Sequence, residues 1–151
     1  MNKKCEEFTN LDELTVELGK LGQVSPLPSL NEYETYLDLN ERIIYIDFDI
    51  DDTLIEYSRR IIRWNRQDKD IPIEERKPIK VLVNSYGGSL DACLHFIDTL
   101  LLSKTPVYTY NVGVAMSAGF YIMLAGSQRF AYPNAQFLIH SGSGGAAGTY
   151  E

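Results

Sequence analysis

Hydrophobic positions along this chain follow two periods, one typical of amphipathic helices and one typical of buried strands. Four leucines between Phe8 and Leu21 recur at helical spacing, with Thr9 or Asn10 as a candidate N-cap. Residues 33–39 are too short and mixed to assign. Apolar runs predict strands over 42–48, 79–84, 106–112, 130–132 and 136–140, and helical patterns cover 53–67, 90–102 and 117–125. Because strands and helices alternate, we predict an α/β fold with crossover connections.

Length and composition narrow the class of protein. The chain has 151 residues, of which 44% are hydrophobic and 23% charged, with a net charge of −7. This is enough for one domain with a proper core, and it argues against disorder, collagen and coiled coil. No apolar run approaches the roughly 20 residues of a membrane span, and a negative chain disfavours general nucleic-acid binding. We therefore predict one domain, residues 31–151, behind an arm or propeptide-like segment, residues 1–30, with no membrane or nucleic-acid partner.

Cysteine usage and the N-terminal residues bear on the compartment. Cys5 and Cys93 form no disulfide framework, and the polar N-terminal stretch lacks the apolar core of a signal peptide. Both features favour a reducing, cytoplasmic location.

Ser117 stands between a predicted strand and a predicted helix, in the stretch NVGVAMSAG that covers residues 111–119. The free N–H groups and partial positive charge of a helix N-terminus favour the oxyanion that forms during acyl transfer. The small residues Ala118 and Gly119 leave room for a substrate backbone. A serine at a helix start is also a common N-cap, so this stretch alone leaves both interpretations open.

Two further stretches contain residue types that catalysis uses. In NSYGGS, Gly87 and Gly88 lie between a strand and a helix, where glycine permits positive φ and close backbone approach. They could present an N–H to an oxyanion or a substrate strand, or form an ordinary tight turn. In QFLIH, His140 closes an apolar strand, where its imidazole could act as general base to a serine or have a structural role. His95 is predicted to pack within a helix or to face solvent.

Taken together and in this order, the three stretches resemble the proteolytic subunit of the Clp protease, ClpP, a serine peptidase family. The resemblance covers roughly residues 30–150, nearly the whole predicted domain. Its segments are ERIIYID, KVLVNSYGGS, DTLLLSKTPVYT, GVAMSAGFYIMLAG and RFAYPNAQFLIH. It implies the ClpP/crotonase-like fold of repeated strand–helix crossover units.

The resemblance also implies a chemistry. Ser117 matches the nucleophile and His140 the general base of a peptide-bond hydrolysis that passes through an acyl-enzyme. The remaining matched positions are the oxyanion-hole N–H groups of Gly88 and Ala118 and the substrate-strand glycines Gly87, Gly144 and Gly145. By the same resemblance we expect unfolded protein substrates, stacked heptameric rings and a hexameric AAA+ unfoldase ATPase as partner. The chain contains no G-x-x-x-x-G-K-[ST] motif, and we expect no cofactor and no metal.

The match to the family pattern is incomplete. The family places its third triad member, an aspartate, well beyond the histidine, and no Asp follows Asp98 here. We therefore expect the match to stop short of the family's C-terminal part. Loss of the triad aspartate can lower the rate about 10⁴-fold, so a catalytically inactive structural subunit is the alternative. Tyr86 also replaces the family's usual proline before the two glycines.

A competing motif lies at residues 43–54, IIYIDFDIDDTL. It resembles the D-x-D-x-T motif of haloacid-dehalogenase-like phosphatases. There Asp49 would attack phosphorus and Asp51 would act as acid and base, with Mg²⁺ screening the phosphate. The other interpretation of these aspartates is a solvated strand end followed by negative charge at a helix N-terminus.

Overall fold

The computed structural model describes residues 29–142. Residues from Thr35 onward belong to one compact unit and residues up to Glu34 to another. No helix in the described range is long and apolar enough to cross a membrane. The elements are α1 (Leu30–Asn40), β1 (Ile43–Ile46), α2 (Leu54–Gln67), a 3₁₀ turn (Ile73–Glu75), β2 (Ile79–Ser85), α3 (Leu90–Leu102), β3 (Val107–Met116), α4 (Ala118–Leu124), β4 (Gln128–Ala131) and β5 (Gln136–Leu138).

A five-stranded sheet organises the unit, in the order β1-β2-β3-β4, with β5 also paired to β3. All four pairings are parallel. Because parallel neighbours need crossover connections, the helices α2, α3 and α4 fall between successive strands. The predicted α/β fold is confirmed.

The core lies where the helices pack on the sheet. Along β2, Ile79, Val81 and Val83 are buried while the residues between them are partly exposed, the two-residue period of a strand. The main helical contributions come from Leu54 and Ile61 of α2, Cys93 and Phe96 of α3, and Ile122 and Met123 of α4. These alternating and helical periods are the patterns from which the sequence predicted the elements.

A buried ion pair ties the start of β1 to the end of α2. The Arg42 guanidinium donates through Nη2 to Asp68 Oδ1 at 2.7 Å, and through Nη1 to the Lys77 carbonyl at 2.9 Å. Thr105 Oγ1 donates to the other carboxylate oxygen at 2.8 Å. The hydrogen bond from Arg42 lowers the pKa of Asp68, although burial opposes it. This cluster ties four segment ends to one another, and no local sequence pattern indicated it.

Most element bounds agree with the sequence-based expectation within one or two residues. Residues 33–39 lie within α1, and β3 runs on to Met116 rather than ending at 112. The extension exists because β5 pairs with its last residues, from Val114 to Met116. The last strand ends at Leu138, two residues before His140. The helix predicted near residues 8–21 lies outside the described residues.

Candidate active site

Ser117 occupies a strained turn between β3 and α4. Its φ is +51° and its ψ −121°, and Arg42 is the one other non-glycine residue with positive φ in the described range. Such a conformation costs of the order of 1–3 kcal/mol and persists only where the surroundings impose it. The Ser117 side chain makes no capping hydrogen bond to α4. Ser117 is therefore not a side-chain N-cap. The residue is half-buried, and its hydroxyl makes no hydrogen bond to the start of α4.

Backbone hydrogen bonds on both sides of Ser117 hold this turn. Ser117 N donates to the Leu138 carbonyl of β5 at 2.9 Å, and Phe120 N donates to the Ser117 carbonyl at 3.0 Å. Behind the turn, Cys93 Sγ of α3 donates to the Ala118 carbonyl at 3.3 Å, and burial raises the pKa of this thiol to about 11. The serine is thus clamped by β5 on one side and by α3 on the other.

Gly87 and Gly88 form a turn that lies directly against Ser117. Both have positive φ, +112° and +146°. A Cβ atom on Gly87 would lie 2.8 Å from Ser117 Cβ and 3.1 Å from Ala118 N, and one on Gly88 would collide with the Ile50 backbone. Only glycine satisfies both the dihedral angle and the space at these positions.

The backbone around Gly88 is oriented by an isolated parallel bridge to Ile50. Ile50 N donates to the Gly87 carbonyl at 2.8 Å, and Ser89 N donates to the Ile50 carbonyl at 2.7 Å. These bonds do not use the Gly88 N–H, which donates to no group within residues 29–142. Ala118, as the first residue of α4, likewise has no intrahelical acceptor for its N–H, and none is found among the described residues.

His140 follows β5, and its Nδ1 lies 2.8 Å from the Ser141 carbonyl oxygen. A carbonyl only accepts, so the proton of the neutral ring belongs on Nδ1 and Nε2 is left as an acceptor. The register pairs Met116 with Leu138, which places the Ser117 and His140 segments side by side. No hydrogen bond joins the two side chains in the part of the chain that the structure describes.

The structure thus brings Ser117, Ala118, Gly87 and Gly88 into one turn cluster, and β5 leads the His140 segment to its edge. Gly144 and Gly145 lie outside the described residues. The Clp protease family model matches residues 31–151 of this chain. The chain belongs to the Clp protease family.

Curated relatives agree with this assignment. The chain is 36% identical over 113 residues to ATP-dependent Clp protease proteolytic subunit 3 of Streptomyces avermitilis and, equally, to subunit 1 of Streptomyces coelicolor, covering 74% of this chain and 49% of each relative. It is 32% identical over 130 residues to proteolytic subunit 2 of Mycolicibacterium paratuberculosis, covering 83% of this chain and 62% of that protein. The chain spans about half the length of the Streptomyces relatives it matches.

The competing motif at residues 43–54 ends at the first residue of α2, and its Asp51 binds the backbone at the start of the helix. Asp51 Oδ1 accepts from Thr53 N at 2.8 Å just before α2, and hydrogen bonds from Thr53 lower the pKa of Asp51. Within residues 29–142, no group of three or more His, Cys, Asp or Glu side chains could hold a metal ion. The motif therefore serves as a helix start, and the phosphatase interpretation has no support in this Clp family member.

Sequence analysis missed two residues that support the site, and it gave His95 no catalytic role. Ile50 and Ser85 support the glycine turn: Ser85 Oγ donates to the Phe48 carbonyl at 2.7 Å and accepts from Gly87 N at 3.2 Å. Sequence analysis singled out neither residue, because Ile50 meets Gly87 and Ser85 meets Phe48 only through the fold. His95 is exposed and lines a groove of about 690 Å³ between α2 and α3, whose lining includes none of the residues around Ser117.

Proposed function

We propose that this chain is a Clp-type serine endopeptidase subunit that cleaves unfolded proteins and peptides through an acyl-enzyme on Ser117. The observation that carries the proposal is the packing of the strained Ser117 turn against Gly87, beside the N–H groups of Gly88 and Ala118, which have no acceptor within residues 29–142. A nucleophile held in a sharp turn beside two backbone donors is the arrangement that acyl transfer requires.

In the proposed reaction, Ser117 Oγ attacks the scissile carbonyl carbon while its proton passes to His140 Nε2. The N–H groups of Gly88 and Ala118 stabilise the oxyanion, and a single such donor is worth about 10²–10³ in rate. The tetrahedral intermediate then expels the amine, which takes the proton from His140, and water releases the acyl group by the reverse sequence. Gly87, Gly144 and Gly145 are the positions proposed to pair with the extended substrate.

The tautomer of His140 suits this role. In a serine triad a carboxylate keeps the proton on Nδ1 so that Nε2 can act as base. The Ser141 carbonyl at 2.8 Å supplies the same orienting hydrogen bond. Because a carbonyl carries no net charge, it stabilises the imidazolium less than a carboxylate does. We therefore expect slow acylation from this arrangement alone.

The assembly is part of the proposal and rests on family membership. We propose a cytoplasmic homo-oligomer of stacked rings, fed by a hexameric AAA+ unfoldase, with residues 31–151 as the peptidase domain and residues 1–30 as an arm. The names of the relatives describe ATP-dependent Clp protease proteolytic subunits. Exposed aromatic side chains lie on the outer strands and just after them: Tyr45 of β1 is 43% exposed, Phe130 of β4 42%, and Tyr132, which follows β4, 58%. An apolar surface of this kind is typical of a face covered by another subunit.

The test is a fluorophosphonate probe read by intact-mass spectrometry. We expect one adduct on the wild-type chain, none on Ser117→Ala, and one on the control Ser127→Ala, whose hydroxyl donates to the Val107 carbonyl away from the site. A folded wild-type chain that takes no adduct would instead support the inactive structural subunit. That outcome is favoured by the absence of a Ser117–His140 hydrogen bond among the described residues.

A further inference from the structure

Asn111 is a fully buried polar residue at the point where β3 changes partner. Its side chain is 0% exposed. The β4 pairing ends at the Asn111–Ala131 pair, and the β5 pairing begins at the Val114–Gln136 pair. Asn111 therefore lies at the junction between two strands that share one edge of β3.

Three polar groups of Asn111 make hydrogen bonds across this junction. Its Nδ2 donates to the Gln136 carbonyl at 2.8 Å, and its Oδ1 accepts from Gly113 N at 3.1 Å. Its main-chain carbonyl accepts from Tyr132 N at 2.9 Å. One residue thus binds the residue after β4, the first residue of β5 and Gly113 of β3 between them.

Besides its ladder with β3 and the edge-to-face contact of Phe137 with Phe120, strand β5 is held in register by hydrogen bonds at its two ends. It has three residues, Gln136–Leu138, and all of them are exposed. Registers are specified weakly where no buried face discriminates between them. The structure holds β5 at both ends by hydrogen bonds, at Gln136 through the Asn111 side chain and at Leu138 through Ser117 N at 2.9 Å.

We propose that Asn111 is a positioning residue that sets the register of β5 against β3. Through β5 it keeps the Leu138 carbonyl on Ser117 N and sets where His140 follows the strand. The role of Asn111 in catalysis rests on the proposed peptidase function. Its role in setting the register of β5 does not depend on that function. A residue that only filled buried space would contribute stability without affecting β5 more than the rest of the sheet.

The first measurement uses the wild-type chain. Hydrogen exchange of the Asn111 side-chain NH₂ protons, followed by NMR, is compared with that of Asn134, an exposed asparagine in the turn before β5. We expect the Asn111 protons to exchange at least tenfold more slowly because one of them is bonded to Gln136. Equal exchange rates would overturn the proposal, and this result does not depend on any variant folding.

The second measurement compares two buried polar-to-apolar substitutions on β3. Asn111→Leu removes the bond to β5, while the control Thr109→Val removes a bond to the Met123 carbonyl from a side chain that is also 0% exposed. In each variant, the exchange rate of the Ser117 amide is divided by that of amides in the β2–β3 pairing. We expect this ratio to be at least tenfold higher in Asn111→Leu than in Thr109→Val. A Ser117 amide whose exchange changes only in step with global stability in both variants would overturn the proposal.

The two proposals fail separately. If the wild-type chain takes no fluorophosphonate but the Ser117 amide loosens in Asn111→Leu, the peptidase function fails and the positioning role stands. If the wild-type chain is labelled and Asn111→Leu keeps both its Ser117 amide protection and its labelling rate, the positioning role fails and the peptidase function stands.

Discussion

The Cα of Gly87 lies so close to Ser117 that a Cβ atom on Gly87 would be 2.8 Å from Ser117 Cβ. Two segments far apart in sequence therefore meet without space for a methyl group between them. The strained serine turn and the glycine turn form one unit, which explains why both have backbone angles that ordinary residues avoid.

Gly87→Ala tests this contact directly. We expect the free energy of unfolding to fall by at least about 2 kcal/mol, because alanine is strained at a φ of +112° and collides with Ser117. Labelling of Ser117 by a fluorophosphonate should also be lost. The control is Gly142→Ala, where the added atom meets nothing within 4 Å and the change should stay within about 0.5 kcal/mol. Urea denaturation of both variants decides the matter, and equal stabilities would contradict the contact.

Ser117→Gly should be inactive and more stable than Ser117→Ala. Its φ of +51° with a ψ of −121° is costly for any residue with a Cβ, and glycine removes that cost. We expect the free energy of unfolding to rise by about 1 kcal/mol relative to Ser117→Ala, which keeps the Cβ and the strain. Chemical denaturation of the two variants measures the difference. A glycine variant less stable than the alanine variant would show that the turn is not strained.

Cys93 should be inert in the folded protein. Burial raises the pKa of its thiol to about 11, so the reactive thiolate is scarce at pH 8, and its side chain is 0% exposed. In a Cys5→Ser background, iodoacetamide should modify Cys93 only after urea is added. Because the pKa of Cys93 is raised in the fold, the neutral thiol stabilises the folded protein fully below the pKa of an unfolded cysteine, about 8.5–9. This contribution to the free energy of unfolding is lost as the pH rises toward 11. Rapid alkylation of the native protein at pH 8 would refute this.

Asp68→Asn should destabilise the protein by about 3–5 kcal/mol at pH 7, because it leaves the Arg42 guanidinium without its buried partner. The pKa of Asp68 is lowered in the fold, so its stabilisation is complete above the unfolded value, about 3.9, and is lost as the pH falls through the folded value. The difference between wild type and variant should therefore narrow below about pH 4.

The matched control for Asp68 is Glu56→Gln, which breaks an exposed pair with Arg59 whose side chains are 70% and 61% exposed. We expect a change of no more than about 0.5 kcal/mol there. Denaturation curves at several pH values test both variants. If the loss in free energy of unfolding caused by Asp68→Asn does not depend on pH, the ion pair is ruled out as its cause.

The proton of neutral His140 should reside on Nδ1. ¹⁵N NMR near pH 9, above the usual range of histidine titration, distinguishes the two tautomers. We expect a protonated Nδ1 for His140 because the Ser141 carbonyl accepts from it, and His95, exposed on α3, serves as the internal control. A proton on Nε2 of His140 would occupy the nitrogen proposed as the general base and would contradict the mechanism.

The pattern of apolar residues predicted the α/β fold and the approximate extent of β2, α2 and α3. These elements can be predicted because burial of one face imposes a period of two residues on a strand and of about 3.6 residues on a helix. The local stretches made Ser117, Gly87, Gly88 and His140 candidates only, and their predicted roles came from the resemblance of the three stretches, taken in order, to the Clp protease family. The apolar pattern left residues 33–39 unassigned and ended β3 too early, because a strand's length there depends on its partner β5.

What the sequence by itself determined is therefore the set of elements, their order and the residue types at the strand ends. Only the tertiary structure decided that Ser117 has a φ of +51°, that Gly87 lies against it, and that Asn111 holds β5. These features arise from contacts between segments far apart along the chain. No short window of sequence contains both partners of such a contact, so neither its strain nor its hydrogen bonds leave a local pattern.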